Sequence, residues 1–453
     1  MKHVKPVNNK ESKSSTLKNF QIKNNKLINK KNDYTVKEKG FVFIEAWINP
    51  ISVRFVNEFA KQHPNLSVYY ITDSDSVGKS NIVIGNDSVA GASLDTLSDK
   101  VHLVPLKNNK WPRRITFAPL WIGGALSSRL RTKYLQTLYL HSFPKLTLEL
   151  EKIAPQVIQS NLLVMPYTWD AARYAHKNKI PFILRTEERT PNGLLQRIAL
   201  KAILIKEKIV VQTATLVLPW TSQSQSFVRN EFNISESKIA LLAASVDTNI
   251  FRQQKITNNS KTPIPKVTSK SAKKPIRCLT VQRFVTYKDY PTLLYGFRIA
   301  IDAGADYTLG ILGFGPEEQS VRTLVKQLNL DSVVTFIPQR TYTDMPLLYK
   351  EFDVLLLSGR NEAIGMVVPE SMACGVVPVV CDSAGATIYL TAETGLQFIT
   401  GDPKSLARAL QSLNHERIRI MGENAAKHIM QNYSVPNTVR KYTKLLSDAK
   451  VQF

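Results

Sequence analysis

From Phe41 onward, short apolar runs alternate with longer segments in which apolar residues recur at helical spacing. In the first half of the chain, the apolar runs predict strands at 41–47, 66–72, 102–106, 156–164, 180–184 and 215–219. The helical spacing predicts helices at 52–63, 138–153 and 171–177. Apolar strands joined by helices are typical of parallel sheets that are covered on both faces. The pattern therefore predicts an α/β fold.

The second half of the chain repeats this alternation. It predicts strands at 276–281, 307–312, 333–338, 354–357 and 376–380, and helices at 344–350 and 433–447. The stretch 253–275 is polar and basic, which predicts an exposed linker or insertion beside an interdomain hinge. Residues 1–40 are rich in Lys, Asn and Ser, which predicts a disordered basic tail. We therefore expect two doubly wound domains, at 41–252 and 276–430, and a final segment at 431–453.

The composition is that of a globular protein, with 453 residues of which 43% are hydrophobic. Cys278, Cys374 and Cys381 have no metal-ligand spacing, which favours packing roles in a reducing compartment. The sequence has no apolar stretch of about 18 residues that would predict a transmembrane helix. Its N-terminus also lacks the apolar core of a secretory signal. We expect a cytoplasmic protein, and a peripheral position at a membrane stays open.

The charge is strongly positive, with a formal net charge of +24. Residues 1–40 hold eleven Lys against three acidic residues, so about +8 of this charge lies in the tail. Such an excess favours phosphate-rich partners, which include anionic lipids, nucleic acids and nucleotide substrates. No recognition motif of a nucleic-acid-binding family is visible, so no nucleic acid is expected as the partner.

Two further segments each have two interpretations. Residues Trp111 to Tyr134 combine aromatic, leucine and arginine residues, which is typical of a lipid-facing surface or of an ordinary amphipathic helix. Asp73 and Asp75 form an Asp-x-Asp pattern that binds a divalent metal in some transferases. Asp, Ser and Gly also crowd many turns, so we favour a turn and expect no metal site.

The segment from Asp353 to Asp382 carries the clearest candidate chemistry. A buried strand leads into a polar loop with Glu362, and the helix that follows carries Glu370. Ligands bind at the carboxyl ends of strands in open α/β sheets, so these carboxylates can accept hydrogen bonds from a sugar nucleotide. Gly365 lets backbone N–H groups approach an anion closely.

A second candidate site follows the strand at 276–281. Arg283 and Lys288 lie five residues apart just beyond the strand end, where they can clamp a diphosphate. Gly313 and Gly315 form a Gly-x-Gly turn after the next strand. The third glycine of a dinucleotide fingerprint is missing, so we reject binding of NAD and expect no cofactor.

The sequence E-A-I-G-M-V-V-P-E from Glu362 to Glu370 resembles the group 1 (GT4) retaining glycosyltransferases of the GT-B fold. Arg283 and Lys288 match the cations of the family's G-R-x-x-x-x-K-G pattern. Gly313 and Gly315 match its G-x-G-P-E turn, and residues 240–251 resemble the strand that ends its first domain. The resemblance implies two Rossmann-like domains that face a cleft, with a C-terminal helix at 431–453 that crosses back to the first domain.

The resemblance also implies an activity, which is metal-independent transfer of a sugar from a UDP- or GDP-sugar donor, with retention, to a lipid, glycan or other acceptor. It gives catalytic roles to Glu362, Arg283 and Lys288. Glu370, Gly365, Ile364, Met366, Gly313 and Gly315 are the implied substrate-binding residues. Glu188, at a strand end of the first domain, could orient an acceptor hydroxyl, although a solvated strand end explains it equally well.

The first domain departs from the family pattern at two places. The sequence at 47–50 reads W-I-N-P where the family has a Gly-Gly loop, and Gln159 and Asn161 stand where the family has a histidine. A catalytically inactive GT-B scaffold or regulatory protein therefore stays open. The net charge also leaves open, as a less favoured class, a basic nucleic-acid-binding protein.

Overall fold

The structure is a computed structural model that describes residues 40–46, 49–74, 81–83, 88–90, 97–112, 139–187, 207–253, 275–360 and 362–453. The expected tail, nearly all of the linker at 253–275 and most of the aromatic and basic segment at 111–134 lie outside these residues. Trp47, Ile48, Asp75 and Glu188 also lie outside them.

The first domain contains a parallel sheet and two pairs of antiparallel strands, β3 with β4 and β6 with β7. Its strands and helices, in chain order, are β1 (Gly40–Ile44), α1 (Pro50–Gln62), β2 (Ser67–Asp73), β3 (Asn81–Val83), β4 (Ser88–Ala90), β5 (Val101–Leu106), β6 (Asn109–Pro112), β7 (Tyr139–Ser142), α2 (Leu146–Ile153), β8 (Val157–Asn161), α3 (Pro166–Lys177), β9 (Phe182–Thr186), β10 (Leu216–Pro219), α4 (Ser222–Phe232) and α5 (Thr248–Gln253). The sheet order is β10-β9-β8-β1-β2-β5, and all of its neighbouring strands are parallel.

The second domain contains the other parallel sheet. Its elements are β11 (Ile276–Val281), α6 (Tyr290–Asp302), β12 (Tyr307–Leu312), α7 (Glu318–Gln327), β13 (Val334–Ile337), α8 (Met345–Lys350), β14 (Val354–Leu357), α9 (Val367–Ala373), β15 (Val377–Cys381), β16 (Leu396–Phe398), α10 (Pro403–Gln411), α11 (His415–Asn432) and α12 (Val435–Asp448). The sheet order is β13-β12-β11-β14-β15-β16, again with parallel neighbours.

In both sheets, the side to which successive strands are added changes once along the chain. Each starts with a strand in its middle, adds two strands on one side, and then crosses over to add three on the other. The crevice at such a reversal is where doubly wound sheets bind their ligands. In the first domain the reversal lies between β1 and β8, and in the second it lies between β11 and β14.

Two expected elements differ in the structure. The helix expected at 138–153 begins only at Leu146, and residues 139–142 instead form β7, which pairs with β6. Pro144 explains the break, because the residue before a proline is disfavoured in helical conformation. The strand expected within 240–251 is an extended segment, whose isolated bridge joins Val246 to Ser434.

The last helix, α12, packs against α1 of the first domain. The ring of Tyr442 lies 5.3 Å from Phe55 and 5.8 Å from Phe59, measured between ring centroids. His63, just after α1, contacts the Thr443 hydroxyl at 2.9 Å. The last helix of the second domain therefore completes the apolar core of the first domain.

Removing the Tyr442 ring should destabilise the protein. We expect Tyr442→Ala to lower the free energy of unfolding by about 3–5 kcal/mol, because a fully buried aromatic ring is lost. Tyr442→Phe should be close to neutral, because the Tyr442 hydroxyl makes no hydrogen bond within the described residues. Urea unfolding measures both, with Tyr295→Ala on the exposed face of α6 as the control. Equal losses in Tyr442→Ala and the control would contradict this packing.

Candidate functional site

The loops that follow β11 and β14 meet at the reversal point of the second sheet. The two strands are far apart in the sequence but adjacent in the sheet, where Cys278 lies beside Val354 and Leu279 beside Leu355. The Ser358 hydroxyl donates a hydrogen bond of 2.7 Å to the Lys288 carbonyl, and the Arg360 N–H donates one of 2.8 Å to the Tyr287 carbonyl. Arg283, Lys288 and Glu362 therefore lie on two loops that are bonded to each other.

Lys288 and Glu362 form an ion pair at this junction. The Lys288 Nζ donates to the Glu362 Oε2, and the two side chains are only 10% and 17% exposed. Asp289 fixes the loop beside Lys288, because its carboxylate begins α6 by accepting hydrogen bonds from Thr292. The same carboxylate pairs with Arg360 at 2.7 Å. The predicted cation and the predicted carboxylate thus contact each other directly.

Arg283 points towards the loop after β12. Its guanidinium lies 5.9 Å from the ring centroid of Phe314, between the two predicted glycines. A Cβ atom at Gly313 would lie 2.1 Å from the Gln282 carbonyl oxygen, and one at Gly315 would lie 2.5 Å from that of Phe284. The two glycines therefore allow the β12 loop to pack directly against the β11 loop.

Glu370 lies on α9 and is buried. Its carboxylate accepts a hydrogen bond of 3.2 Å from the Tyr349 hydroxyl on α8. Burial raises the pKa of Glu370 to about 8, while hydrogen bonding from Tyr349 and Tyr342 and the charge of Arg54 oppose this increase. The group therefore changes its charge near neutral pH, which ordinary surface carboxylates do not.

Gly365 positions the loop between the two carboxylates. Its φ of +68° is in the left-handed region, where a side chain is strained, and a Cβ atom there would lie 3.0 Å from the Glu362 Cγ. Ile364 and Met366 flank it and are half-buried. The Glu362 carbonyl accepts a hydrogen bond of 2.9 Å from the Gly385 N–H, which fixes the loop from its other side.

The first domain presents a buried carboxylate at its own reversal point. Glu45, just after β1, accepts hydrogen bonds from Tyr70 at 2.6 Å, Asn49 at 2.8 Å and Asn161 at 3.1 Å. Burial raises the pKa of Glu45. The Gln159 amide donates to the Asn161 side chain, so the two residues at the family's histidine position belong to this network. Glu45 is not among the residues predicted from the sequence, although an acid that ends an apolar run could have indicated it.

Arg185 at the end of β9 lies beside this network. It donates to the Leu242 carbonyl at 3.1 Å and lies 4.3 Å from the Trp220 ring centroid, and burial lowers its pKa to about 10. The neighbouring cavity measures about 10 Å³, which is about the least that one water molecule requires. Arg185 Nε, Gln159 Oε1 and Ser245 Oγ line it without a hydrogen-bond partner within the described residues. These groups match a bound hydroxyl or water.

The two domains contact each other beside the candidate site. The Gln223 amide donates 3.2 Å to the Ala384 carbonyl, and the Tyr389 hydroxyl donates 3.1 Å to the Ala244 carbonyl. A Cβ atom at Gly385 would lie 2.8 Å from the Thr221 methyl group. The first domain therefore packs against the segment 384–389, and the Gly385 N–H of this segment also donates to the Glu362 carbonyl.

The structure describes one carboxylate of the Asp-x-Asp pattern. Asp73 is buried and accepts a hydrogen bond of 2.9 Å from Asn108. Within the described ranges, no three His, Cys, Asp or Glu side chains cluster as a metal site would require. In the same part of the chain, no helix combines the length and the apolar character needed to cross a membrane.

Part of the chain matches known proteins. Residues 263–430 match the family model for glycosyl transferases group 1. The chain is 31% identical to a D-inositol 3-phosphate glycosyltransferase of Corynebacterium kroppenstedtii over 28% of each protein. It is 30% identical to the N-acetyl-alpha-D-glucosaminyl L-malate synthase of Bacillus anthracis over 32% of this chain and 38% of that protein. These matches span less than half the length of either relative.

Solved structures share the whole fold at low sequence identity. Anabaena HepE in complex with UDP has a TM-score of 0.63 at 14% identity, over 91% of this chain and 100% of that one. Sucrose-phosphate synthase of Thermosynechococcus elongatus has a TM-score of 0.61 at 17% identity, over 90% and 98%. The protein therefore has the expected GT-B fold of two Rossmann-like domains that face a cleft. Residues 263–430 of its second half match the glycosyl transferases group 1, the family that the motifs resemble.

The pKa of Glu370 makes the stability depend on pH. The folded pKa of about 8 exceeds the ordinary value of 4.5, so the folded protein keeps a proton that the unfolded chain releases. The stability that this group contributes is complete below about pH 4.5 and is lost as the pH rises towards 8.

We expect Glu370→Gln to remove this dependence. Between pH 5 and 8 the wild-type protein should lose stability relative to the variant, by on the order of a few kcal/mol. Urea unfolding at several pH values measures the difference, and Glu423→Gln, at a 66% exposed side chain, is the control. Parallel pH profiles for wild type and Glu370→Gln would show that Glu370 has an ordinary pKa.

Proposed function

We propose that the protein is a retaining, metal-independent glycosyltransferase that takes a UDP- or GDP-sugar as donor. The observation that carries this proposal is the meeting of Lys288 and Glu362 at the reversal point of the second sheet. The group 1 family match and the structural neighbours support it, and HepE has been solved with UDP and with UDP-glucose.

The cations would act on the leaving group. In this reaction the bond between the sugar C1 and the diphosphate oxygen breaks, and negative charge develops on the diphosphate. Arg283 provides a planar fork of donors, and Lys288 provides a point charge at a partly buried place. Charge fixed beside a developing anion in a site of low polarity lowers the barrier. We infer that the donor diphosphate replaces Glu362 as the partner of Lys288.

The carboxylates would act on hydroxyl groups. Glu370 would accept hydrogen bonds from the donor ribose, and Glu362, once released from Lys288, from the transferred sugar. Gly365, Ile364 and Met366 would contact the donor between them. Gly313 and Gly315 would keep the Arg283 loop and its neighbour close enough to enclose the diphosphate.

The acceptor would enter from the first domain. The Glu45 network and the Arg185 cavity present donors and acceptors that suit a hydroxyl group. The two curated relatives are named for transfer to a phosphorylated inositol and to malate, which are anionic acceptors. Because this protein has a formal net charge of +24, we favour an anionic acceptor or an anionic lipid surface as its partner. Glu188 stays a candidate for orienting the acceptor.

A catalytically inactive GT-B scaffold is the second candidate function. It is favoured by the Gln159–Asn161 hydrogen bond, because these side chains stand where the family has a histidine. The cavity beside them has room for about one water molecule, so an acceptor would have to open it. A scaffold could bind nucleotide sugars without transferring or hydrolysing them.

Donor binding tests the role of the cations. We expect wild-type protein to bind one of UDP-glucose, GDP-glucose and ADP-glucose without added metal in calorimetry. Arg283→Met and Lys288→Met should weaken this binding about tenfold to a hundredfold, because each removes a charge-assisted hydrogen bond. Lys326→Met, on the exposed end of α7, is the matched control. Unchanged affinity in both site variants would refute the diphosphate assignment.

Donor hydrolysis separates the two carboxylates. Glu370→Ala should raise the donor KM about tenfold with little change in kcat, because its contact with ribose is equal in the ground and transition states. Glu362→Ala should mainly lower kcat, by on the order of a hundredfold, because its contact tightens as the sugar becomes cationic. Steady-state kinetics measure both. Unaltered kinetics in the two variants would rule out these roles, and binding without any hydrolysis would favour the scaffold.

A further inference from the structure

We propose that Arg54 of the first domain is a positioning residue for the donor site of the second domain, acting on Glu370 through Tyr342. This inference rests on the proposed function, in which Glu370 holds the donor ribose. It assigns a role to a side chain that lies outside the group 1 motifs and outside the sequence matched by the family model.

Arg54 bridges the two domains. It lies on α1, and its Nη1 donates a hydrogen bond of 3.0 Å to the Tyr342 hydroxyl, a residue 288 positions later in the chain. Its guanidinium carbon is 5.1 Å from the centroid of the same ring. Its Nε is 3.1 Å from the Asp247 Oδ2, so a carboxylate at the end of the first domain fixes the guanidinium.

Tyr342 connects this bridge to Glu370. Tyr342 precedes α8, and it stabilises the Glu370 carboxylate by hydrogen bonding together with Tyr349. The positive charge of Arg54 acts in the same direction and favours the ionised carboxylate. The Arg54 side chain is only 24% exposed, so solvent screens this charge less than at the open surface.

Among the titratable groups that interact with Glu370, Arg54 is the cation that lowers its pKa. Tyr349 and Cys374 face Glu370 from its own domain, and Tyr342 and Tyr389 interact with it from neighbouring segments. Burial raises the pKa of all four groups, so they stay neutral in this pH range and none of them supplies a positive charge. Asp247 interacts with Tyr342 and pairs with Arg54. Within the described residues, Arg54 is therefore the group that compensates the Glu370 charge.

The consequence is a coupling between domain closure and donor recognition. Arg54 belongs to the first domain, whereas Tyr342 and Glu370 belong to the second, so opening the cleft at α1 breaks the bridge. Without Arg54, the Glu370 carboxylate becomes harder to ionise, and an ionised carboxylate is the better acceptor for the two ribose hydroxyls. The closed arrangement thus prepares Glu370 for the donor.

Donor binding across pH tests this coupling. The probe is whichever of UDP-glucose, GDP-glucose and ADP-glucose the wild type binds, measured by calorimetry between pH 6 and 9. We expect wild-type binding to strengthen as the pH rises through about 8, where Glu370 ionises. Arg54→Met should move this midpoint upward by on the order of one pH unit, which weakens binding about fivefold at pH 8. Arg54→Lys should restore most of the wild-type midpoint, because it keeps the charge.

Two controls separate a positioning role from a structural one. Lys61→Met removes a cation from the same helix, at a side chain that is 73% exposed, and should leave the profile unchanged. Tyr342→Phe keeps the ring but removes the hydroxyl, and should weaken binding as Arg54→Met does. An Arg54→Met profile that matches the wild type would overturn the inference. Equal weakening in Arg54→Met and Arg54→Lys with no shift of the midpoint would also overturn it.

A measurement without donor keeps this test independent of the proposed function. In urea unfolding, Arg54→Met should cost more stability at pH 9 than at pH 6, and this increase should vanish in a Glu370→Gln background. Additive effects at both pH values would refute the coupling even if donor binding is normal. If the wild type binds no nucleotide sugar while the unfolding cycle shows coupling, the proposed function fails and the Arg54–Glu370 connection remains.

Discussion

The contact between Lys288 and Glu362 depends on one topological constraint, which is that β11 and β14 are neighbours in a parallel sheet. Their carboxyl ends lie at the same edge, so the loops that follow them meet although 74 residues separate the two side chains. Parallel neighbours need a crossover connection, and here the crossover consists of the elements from α6 to α8. The positions of Arg283, Glu370 and Gly365 relative to one another follow from the same pairing.

The first domain has the same arrangement of two parallel neighbouring strands whose following loops meet. In the first domain, β1 and β8 are the neighbours at the reversal point, and Glu45 and Asn161 at their ends are hydrogen-bonded. The two clusters differ in charge. The second domain combines cations with carboxylates, whereas the first combines one buried acid with amides and one buried guanidinium. This difference suits a charged donor on one side of the cleft and hydroxyl chemistry on the other.

Local signals explain what could be predicted from the sequence. Buried strands of a parallel sheet are continuous apolar runs, and a loop directly after such a run must lie at the carboxyl edge, so Lys288 and Glu362 could be placed before any contact was known. The same reasoning failed for residues 139–142, where a short apolar stretch before Pro144 suits a helix or a strand equally well.

Contacts that do not follow from strand pairing could not be predicted. The bridge from Arg54 to Tyr342 depends on how the two domains dock, and no periodicity within α1 indicates it. Burial under neighbouring segments raises the pKa of Glu370 and the hydrogen bond from Tyr349 opposes this increase, and the position of a Glu in a helix reveals neither. Arg185 has the appearance of an ordinary strand-end cation in the sequence, and only the tertiary structure places it over Trp220.

The central claim is that a nucleotide diphosphate binds where β11 and β14 meet. A crystal structure of the protein with UDP tests it most directly. We expect the diphosphate within hydrogen-bonding distance of Arg283 and Lys288, the ribose hydroxyls against Glu370, and the Lys288–Glu362 ion pair opened. UDP bound elsewhere, or bound at this edge with the Lys288–Glu362 ion pair intact and Glu370 without contact to the ribose, would contradict the account.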